Sequence, residues 1–212
     1  WLKTLHEATA MRSVQSLPRE LSLPADGVLR IKPLRELETL RYNPVTLNDI
    51  AIDAVAAHVL PAGGNRRQRA GDLGGDAVEL RITVARDQAA RKLFSLVLFA
   101  DDADGGLPVI LRPDTGTLRV GSTDAPFAVA DLPPGEDLEL RVFVDKYVVE
   151  VFANDRQAVF ATYPAYRGKT GLDAFTVGAP TTIKTLEVWQ LKPTNQGFLE
   201  AQRNRIWGPV TQ

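Results

Sequence analysis

The sequence has no cysteine, only two histidines (His6 and His58) and a single methionine. The first absence excludes disulfides and thiolate metal sites, but it does not fix a compartment, since many exported proteins also lack cysteine. The two histidines fall in different segments, so ordinary surface or packed roles are expected for both, ahead of a histidine-based metal centre or catalytic triad. A surplus of one charge is also lacking. The 25 Lys and Arg against 26 Asp and Glu give a net charge of −1, which argues against a nucleic-acid or anionic-membrane partner, since both need a basic face. No window approaches the roughly 18 apolar residues of a membrane span. The chain opens on Trp1 and its methionine is Met11, so it reads as a piece of a longer product, and any signal peptide would belong to the missing part.

What is present is β-structure. At 212 residues and 44% hydrophobic, the chain can bury a sizeable core as one large or two small domains. The clearest stretch runs from 138 to 163. Leu138, Leu140, Val142 and Val144 recur every second residue and aim one strand face at a core. Asp145-Lys146 marks a two-residue turn, 147–153 is β-branched and aromatic enough for a return strand, and Asn154-Asp155 marks a second turn into a strand over 158–163. Elsewhere, Val78, Leu80, Ile82 and Val84 alternate with Glu79, Arg81 and Thr83 as in a half-buried strand. Residues 93–99 are apolar on both parities, as in a strand covered on both sides. Further strands are expected over 107–111, 117–120, 127–130, 174–177 and 183–191, while 45–59 is weakly patterned. A hairpin pairs 17–23 with 28–31 around Asp26-Gly27. Pro33 with Leu34, Leu37 and Leu40 then predicts a short helix, stopped by Tyr42-Asn43-Pro44. Many short strands with turn chemistry between them indicate a sandwich or barrel.

Two motifs carry a family resemblance. Val144-Asp145, three residues, Val149-Glu150-Val151-Phe152 and then Asn154-Asp155 resembles the signature of the C-terminal β-sandwich of family 32 glycoside hydrolases, the invertases, levanases and inulinases. Upstream, Ser16 to Leu23 followed by Leu29-Arg30-Ile31-Lys32-Pro33-Leu34 resembles the segment that joins that family's catalytic propeller to its sandwich. One departure is Tyr147, where the family usually has a small hydroxyl residue. The resemblance implies an all-β fold, a concanavalin-like β-sandwich of two antiparallel sheets. It divides the chain into propeller-junction strands over 1–32, a linker helix over 33–44, the sandwich over 45–192 and a C-terminal tail over 193–212.

Candidate chemistry is sparse. Asp101-Asp102-Ala103-Asp104-Gly105-Gly106 resembles the opening of a calcium loop, but Arg112 and Pro113 stand where the closing glutamate belongs, so a solvated hairpin loop is expected there. Arg66-Arg67-Gln68-Arg69, among glycines, could grip an anion and reads more simply as a solvated loop. Trp189 could stack on a sugar, although a place on the last strand favours core packing. Hydrolysis of a glycosidic bond usually needs a pair of carboxylates. In the resembled family these lie on the propeller, in Trp-Met-Asn-Asp-Pro-Asn-Gly, Arg-Asp-Pro and Glu-Cys motifs. Here Asn43-Pro44 lacks the aspartate of the first, Arg112-Pro113-Asp114 has the letters of the second in another order, and no cysteine is available for the third.

No catalytic residue, metal ligand or cofactor is therefore assigned, and the ligand-binding residues are unknown. The resemblance implies a non-catalytic module bracing the catalytic propeller of a β-fructosidase-like glycoside hydrolase that acts on sucrose, levan or inulin. The alternatives are a lectin-like carbohydrate-binding domain and one chain of a split enzyme. The expected partner is the catalytic propeller, in the same or a separate chain. Carbohydrate and a second copy of the chain are further candidates, and nucleic acid and membrane are not expected. A secreted or periplasmic location is favoured over a cytoplasmic one. Residues 1–32 should dock back on the sandwich, pair with another copy or meet a separate catalytic chain, and their removal should leave the sandwich's melting temperature nearly unchanged.

Overall fold

A computed structural model of the chain describes residues 15–55, 67–91, 93–101 and 105–193. In chain order its strands are β1 (Arg19–Ser22), β2 (Arg30–Pro33), β3 (Arg41–Ile52), β4 (Ala54–Val55), β5 (Gln68–Asp72), β6 (Ala77–Val84), β7 (Phe94–Ala100), β8 (Leu107–Arg112), β9 (Thr117–Val120), β10 (Thr123–Pro126), β11 (Leu138–Asp145), β12 (Val148–Ala153), β13 (Gln157–Thr162), β14 (Gly171–Val177) and β15 (Thr181–Leu191). They form a β-sandwich. One sheet has the order β13-β12-β11-β6-β15-β3, and the other has β10-β9-β8-β7-β14-β4 with β5 also paired to β14. β1 and β2 make a separate antiparallel hairpin.

The alternating pattern of the sequence explains the core. Val78, Leu80, Ile82 and Val84 from β6 and Leu138, Leu140, Val142 and Val144 from β11 are all at most 2% exposed, and they meet Leu96, Leu98, Val109, Leu111, Leu118 and Val120 of the second sheet. Both sheets thus turn one parity of side chains inward. Every residue of β7 is buried. Its other face adds Val97 and Ala100 to a smaller cluster with Phe175 and Val177 on the outside of that sheet, the two-sided covering its sequence predicts.

The meander forms as expected, with its turns placed slightly differently. Asp145 pairs with Val148, so the first two-residue turn is Lys146-Tyr147, with Lys146 at φ 55°. The second turn has three residues. Asn154 and Asp155 take φ 44° and 53°, and the Arg156 amide donates to the Ala153 carbonyl at 2.8 Å.

Four local expectations are corrected. The predicted helix is a 3-10 turn, Arg35–Leu40. Tyr42-Asn43-Pro44 does not interrupt the chain but lies within β3, because β3 is an edge strand. Its pairing with β15 breaks register between Val188 and Gln190, and Asn43 at φ 47° lets the strand bulge past a proline that has no amide to donate. Residues 127–130 hold the 3-10 turn Val129–Asp131 instead of a strand, and the strand at that place is β10. The glycine-rich stretch after Arg67 contains a true strand, β5, paired with β14 through a bulge between Leu172 and Asp173.

Of the three alternatives for the N-terminal segment, the described part docks back. The Ile31 amide donates to the Asp155 carbonyl at 2.6 Å, and the Lys192 amide donates to the Leu40 carbonyl at 2.9 Å. Leu37 joins Phe143 and Phe152 in a third buried cluster, against which Leu17, Leu34, Leu40 and Leu191 pack. Residues 17–40 therefore cover part of the outer face of the six-stranded sheet.

Candidate functional site

Buried charges and aromatic rings converge on this outer face. The same parity that sends Val78, Leu80 and Val142 inward sends their neighbours outward: Glu79 and Arg81 from β6, Arg141 and Phe143 from β11, Glu150 and Phe152 from β12, and Glu187 and Trp189 from β15. Register sets them side by side. Phe143 stands opposite both Glu79 and Glu150, Arg141 opposite Arg81 and Phe152, and Trp189 opposite Glu79.

Glu79 is fully buried, and a carboxylate there is tolerable only if its oxygens are satisfied. Arg41 donates Nε to Oε2 and Nη2 to Oε1, each at 2.7 Å. Arg141 donates to Oε1 through Nε at 3.0 Å and Nη2 at 2.7 Å. Glu38, on the 3-10 turn, touches both guanidiniums at 3.2 and 3.4 Å. Burial is the largest influence on Arg41 and works against its charge, but the hydrogen bond to Glu79 and the charges of Glu79 and Glu38 together outweigh it and hold the guanidinium above its usual range. Beside this set Arg81 donates Nε to Glu187 Oε2 at 2.7 Å, and that bond likewise raises Arg81.

Glu150, in the sequence signature, is 2% exposed. Both of its partners come from the N-terminal segment: the Leu17 amide donates to Oε1 at 2.5 Å and Arg19 Nη2 to Oε2 at 2.9 Å. The Arg19 guanidinium also lies 5.5 Å from the centre of the Phe152 ring. Phe152 meets Phe143 edge-on at 5.9 Å.

These are the wrong carboxylates for hydrolysis. A retaining glycosidase needs two acids about 5 Å apart around an open space, one able to give a proton. Glu79 is closed by four guanidinium contacts, and Glu150 by a backbone amide and Arg19.

Trp189 is not in the core. It lies partly buried on the outer face, with the guanidinium carbons of Arg41 and Arg81 at 4.3 and 5.4 Å from the ring centre. The indole is thus engaged in cation–π contacts.

The remaining sequence candidates are dispersed. Asp101 accepts the Gly105 amide at 2.7 Å and pairs with Lys169, while Asp102, Ala103 and Asp104 lie outside the described residues. Among the described residues, no group of three or more His, Asp or Glu is placed to hold a metal. Arg67 donates to the Gly105 carbonyl at 2.9 Å, and Arg69 lies 2.7 Å from Asp173. Arg66, His6 and His58 are outside the described residues. Arg112 ends β8, with Asp114 exposed in the following turn.

Sequence reading missed the Arg41–Glu79–Arg141 set because Glu79 sits at an outward position in an alternating strand, where solvent is the ordinary expectation. A usable signal was present: Arg81 and Arg141 also fall at outward positions of strands that carry Glu79 and Glu139.

Comparison with known proteins places this geometry in a family. Residues 36–190 match the model of the family described as glycosyl hydrolases family 32 C terminal. A levanase of Bacillus subtilis (strain 168) is 28% identical over 204 residues, covering 85% of this chain. The chain spans only 28% of that levanase. Among solved structures, fructan 1-exohydrolase IIa from Cichorium intybus superposes with a TM-score of 0.61 at 16% identity, over 85% of this chain and 41% of that one. An exo-inulinase from Aspergillus awamori gives a TM-score of 0.63 at 13% identity, over 89% and 38%. At such identities the two structures speak to the fold alone.

Proposed function

The chain belongs to the C-terminal family of family 32 glycosyl hydrolases, and from that premise we propose that it is a non-catalytic β-sandwich that braces the catalytic domain of an enzyme acting on β-fructofuranosides such as sucrose, levan or inulin. The levanase relative supports this substrate class. The bracing role rests on one observation. The buried carboxylates of the outer face, Glu79 and Glu150, are spent on holding protein to protein, and Glu150 grips the segment that leads toward the N-terminus. A module built to react would keep an acid open to solvent at a cleft.

The test is fructose release by the purified chain from sucrose, inulin and levan, together with binding to the same polysaccharides by affinity electrophoresis. Neither hydrolysis nor retardation is expected. Robust release abolished by Glu150→Gln, with the circular dichroism spectrum preserved, would overturn the non-catalytic reading. Strong retardation on one polysaccharide would favour the lectin-like alternative. Hydrolysis that appears only on adding a separate catalytic chain would identify a split enzyme.

A further inference from the structure

Three of the four tyrosines in the sequence, Tyr147, Tyr163 and Tyr166, gather at one end of the sandwich. The hairpin of β1 and β2 is not part of this end: Ile31 bonds Asp155, beyond the last residue of β12, whereas Tyr147 precedes the first. Tyr147 and Tyr163 are the next pair beyond Val148 and Thr162 in the β12–β13 ladder, and the Tyr163 amide donates to the Tyr147 carbonyl at 2.7 Å. They continue the parity that sends Val149 and Ala161 inward, so they stand at the mouth between the sheets. The second sheet backs them. Phe99, fully buried, stacks on Tyr163 at 5.8 Å and meets Tyr166 at 5.6 Å, and the Gly106 amide donates to the Tyr163 hydroxyl at 3.0 Å. All three tyrosines keep part of their surface in solvent.

Polar groups surround the rings. The Tyr166 hydroxyl donates to Asp76 Oδ2 at 3.4 Å. The Lys146 amide donates to the Asp76 carbonyl at 2.5 Å, tying the loop before β6 to the turn that carries exposed Asp145 and Lys146. Partial burial, then Asp76, Asp145 and Tyr147, hold the Tyr166 phenol above its usual range, so it stays a neutral donor. Arg167 is exposed beside it. Two acids against two bases give this end no net charge to draw an ion, whereas phenols, carboxylates and cations together can both give and accept hydrogen bonds to hydroxyls. Rings fixed by packing beside such groups suit a neutral ligand with an apolar face and a hydroxylated rim. We propose that this end of the sandwich binds a pyranose sugar, an equatorially substituted unit such as a β-glucosyl residue, with Tyr147 and Tyr166 against its C–H face and Asp76 and Asp145 accepting from its hydroxyls. A ring of that kind carries axial C–H groups on both flat faces, and a fructofuranosyl ring has no comparable face. The site therefore takes a sugar other than the fructan the parent enzyme would cut. It goes beyond the bracing reading and uses none of the groups on which that reading stands.

The test titrates the full chain with cellotetraose, a run of β-glucosyl units, and with a fructo-oligosaccharide of equal length, read by saturation-transfer difference NMR and by calorimetry. Saturation should reach the C–H protons of cellotetraose and not those of the fructo-oligosaccharide. Tyr147→Ser and Tyr166→Ala should each weaken cellotetraose binding about tenfold or more, with the circular dichroism spectrum preserved. Tyr166→Phe, which keeps the ring, should weaken it less than Tyr166→Ala. Leu23→Ser, on the distant hairpin, should change nothing. Should Tyr147→Ser or Tyr166→Ala misfold, Asp145→Asn decides, because its side chain is exposed and its shape is kept; it should still lower the affinity. No saturation transfer to cellotetraose, or parental affinity in every folded site variant, would overturn the proposal. Equal binding of the two sugars would overturn it as well, since the flat pyranose face would then not be what is recognised. A titration that fails in the first two ways leaves the bracing reading standing, because that reading rests on Glu79 and Glu150 of the outer face.

Discussion

Replacing Glu79 by alanine is the sharpest perturbation available, because two guanidiniums converge on one of its oxygens. Arg41 and Arg141 both place Nη2 at 2.7 Å from Oε1 and are themselves only 14% and 13% exposed. Without the carboxylate they face each other as like charges, with the half-exposed Glu38 their only shared counter-ion. Breaking a buried pair by removing one partner costs about 3–5 kcal/mol. For a chain of this size, at roughly 2–4 °C per kcal/mol, this lowers the melting temperature by about 6–20 °C. Glu79→Gln should fail as well, since its amide turns donors toward donors. The triple variant Arg41→Met, Glu79→Leu, Arg141→Met should cost less than Glu79→Ala alone, because it removes the charges together and fills the same space with apolar atoms. Urea unfolding followed by far-ultraviolet circular dichroism reads all three without relying on Trp189, whose ring lies under Arg41. A Glu79→Ala variant within about 1 kcal/mol of the parent, or a triple variant less stable than the single one, would refute this account of the network.

Val142→Asp should abolish folding, since the side chain is fully buried between the sheets; it loses roughly 1.5–3 kcal/mol of burial and strands a charge costing several more, so a melting temperature within a few degrees of the parent contradicts the inward parity of β11. Glu139→Gln should stabilise the fold at pH 7 and not at pH 4: burial raises the Glu139 carboxyl above its ordinary value of 4.5, so its contribution is fully present below that value and is lost as pH rises through the folded-state value, and equal melting shifts at the two pH values count against this. Deleting residues 1–32 should lower stability by about 1–3 kcal/mol, reversing the near-neutral outcome expected from sequence, because it uncovers Phe152 and removes both partners of Glu150; an unchanged urea midpoint rejects this.

The sandwich was legible because its core obeys a local rule. Leu138, Leu140, Val142 and Val144 repeat with period two, and so do Val78, Leu80, Ile82 and Val84, and nothing distant in the chain is needed to tell which face is inside. The turns were legible in composition and less so in position, since Lys146 and Asn154 accept left-handed backbone while the strand pairing decides which two or three residues bridge. What stayed hidden has a common cause. Phe99 at φ 57°, fully buried and stacked 5.8 Å from Tyr163, follows from a register shift opposite Gly171 and Leu172. Pro44 in β3 is tolerated because only one side of that strand is paired. Neither fact is local.

The outer face makes the same point about function. Its residues read as the solvated half of an amphipathic sheet, and without residues 17–40 they would be just that. Covering them turns Glu79 and Glu150 from surface acids into buried groups that tolerate one arrangement of partners. An apolar cover could slide, because leucine packs acceptably in many registers, whereas a buried carboxylate left without its donors costs several kcal/mol. Glu150 therefore admits the segment only where the Leu17 amide and Arg19 reach it together, and Glu79 admits the start of β3 only where Arg41 reaches it. Under the bracing role proposed above, this intolerance matters more than the net stability the pairs contribute.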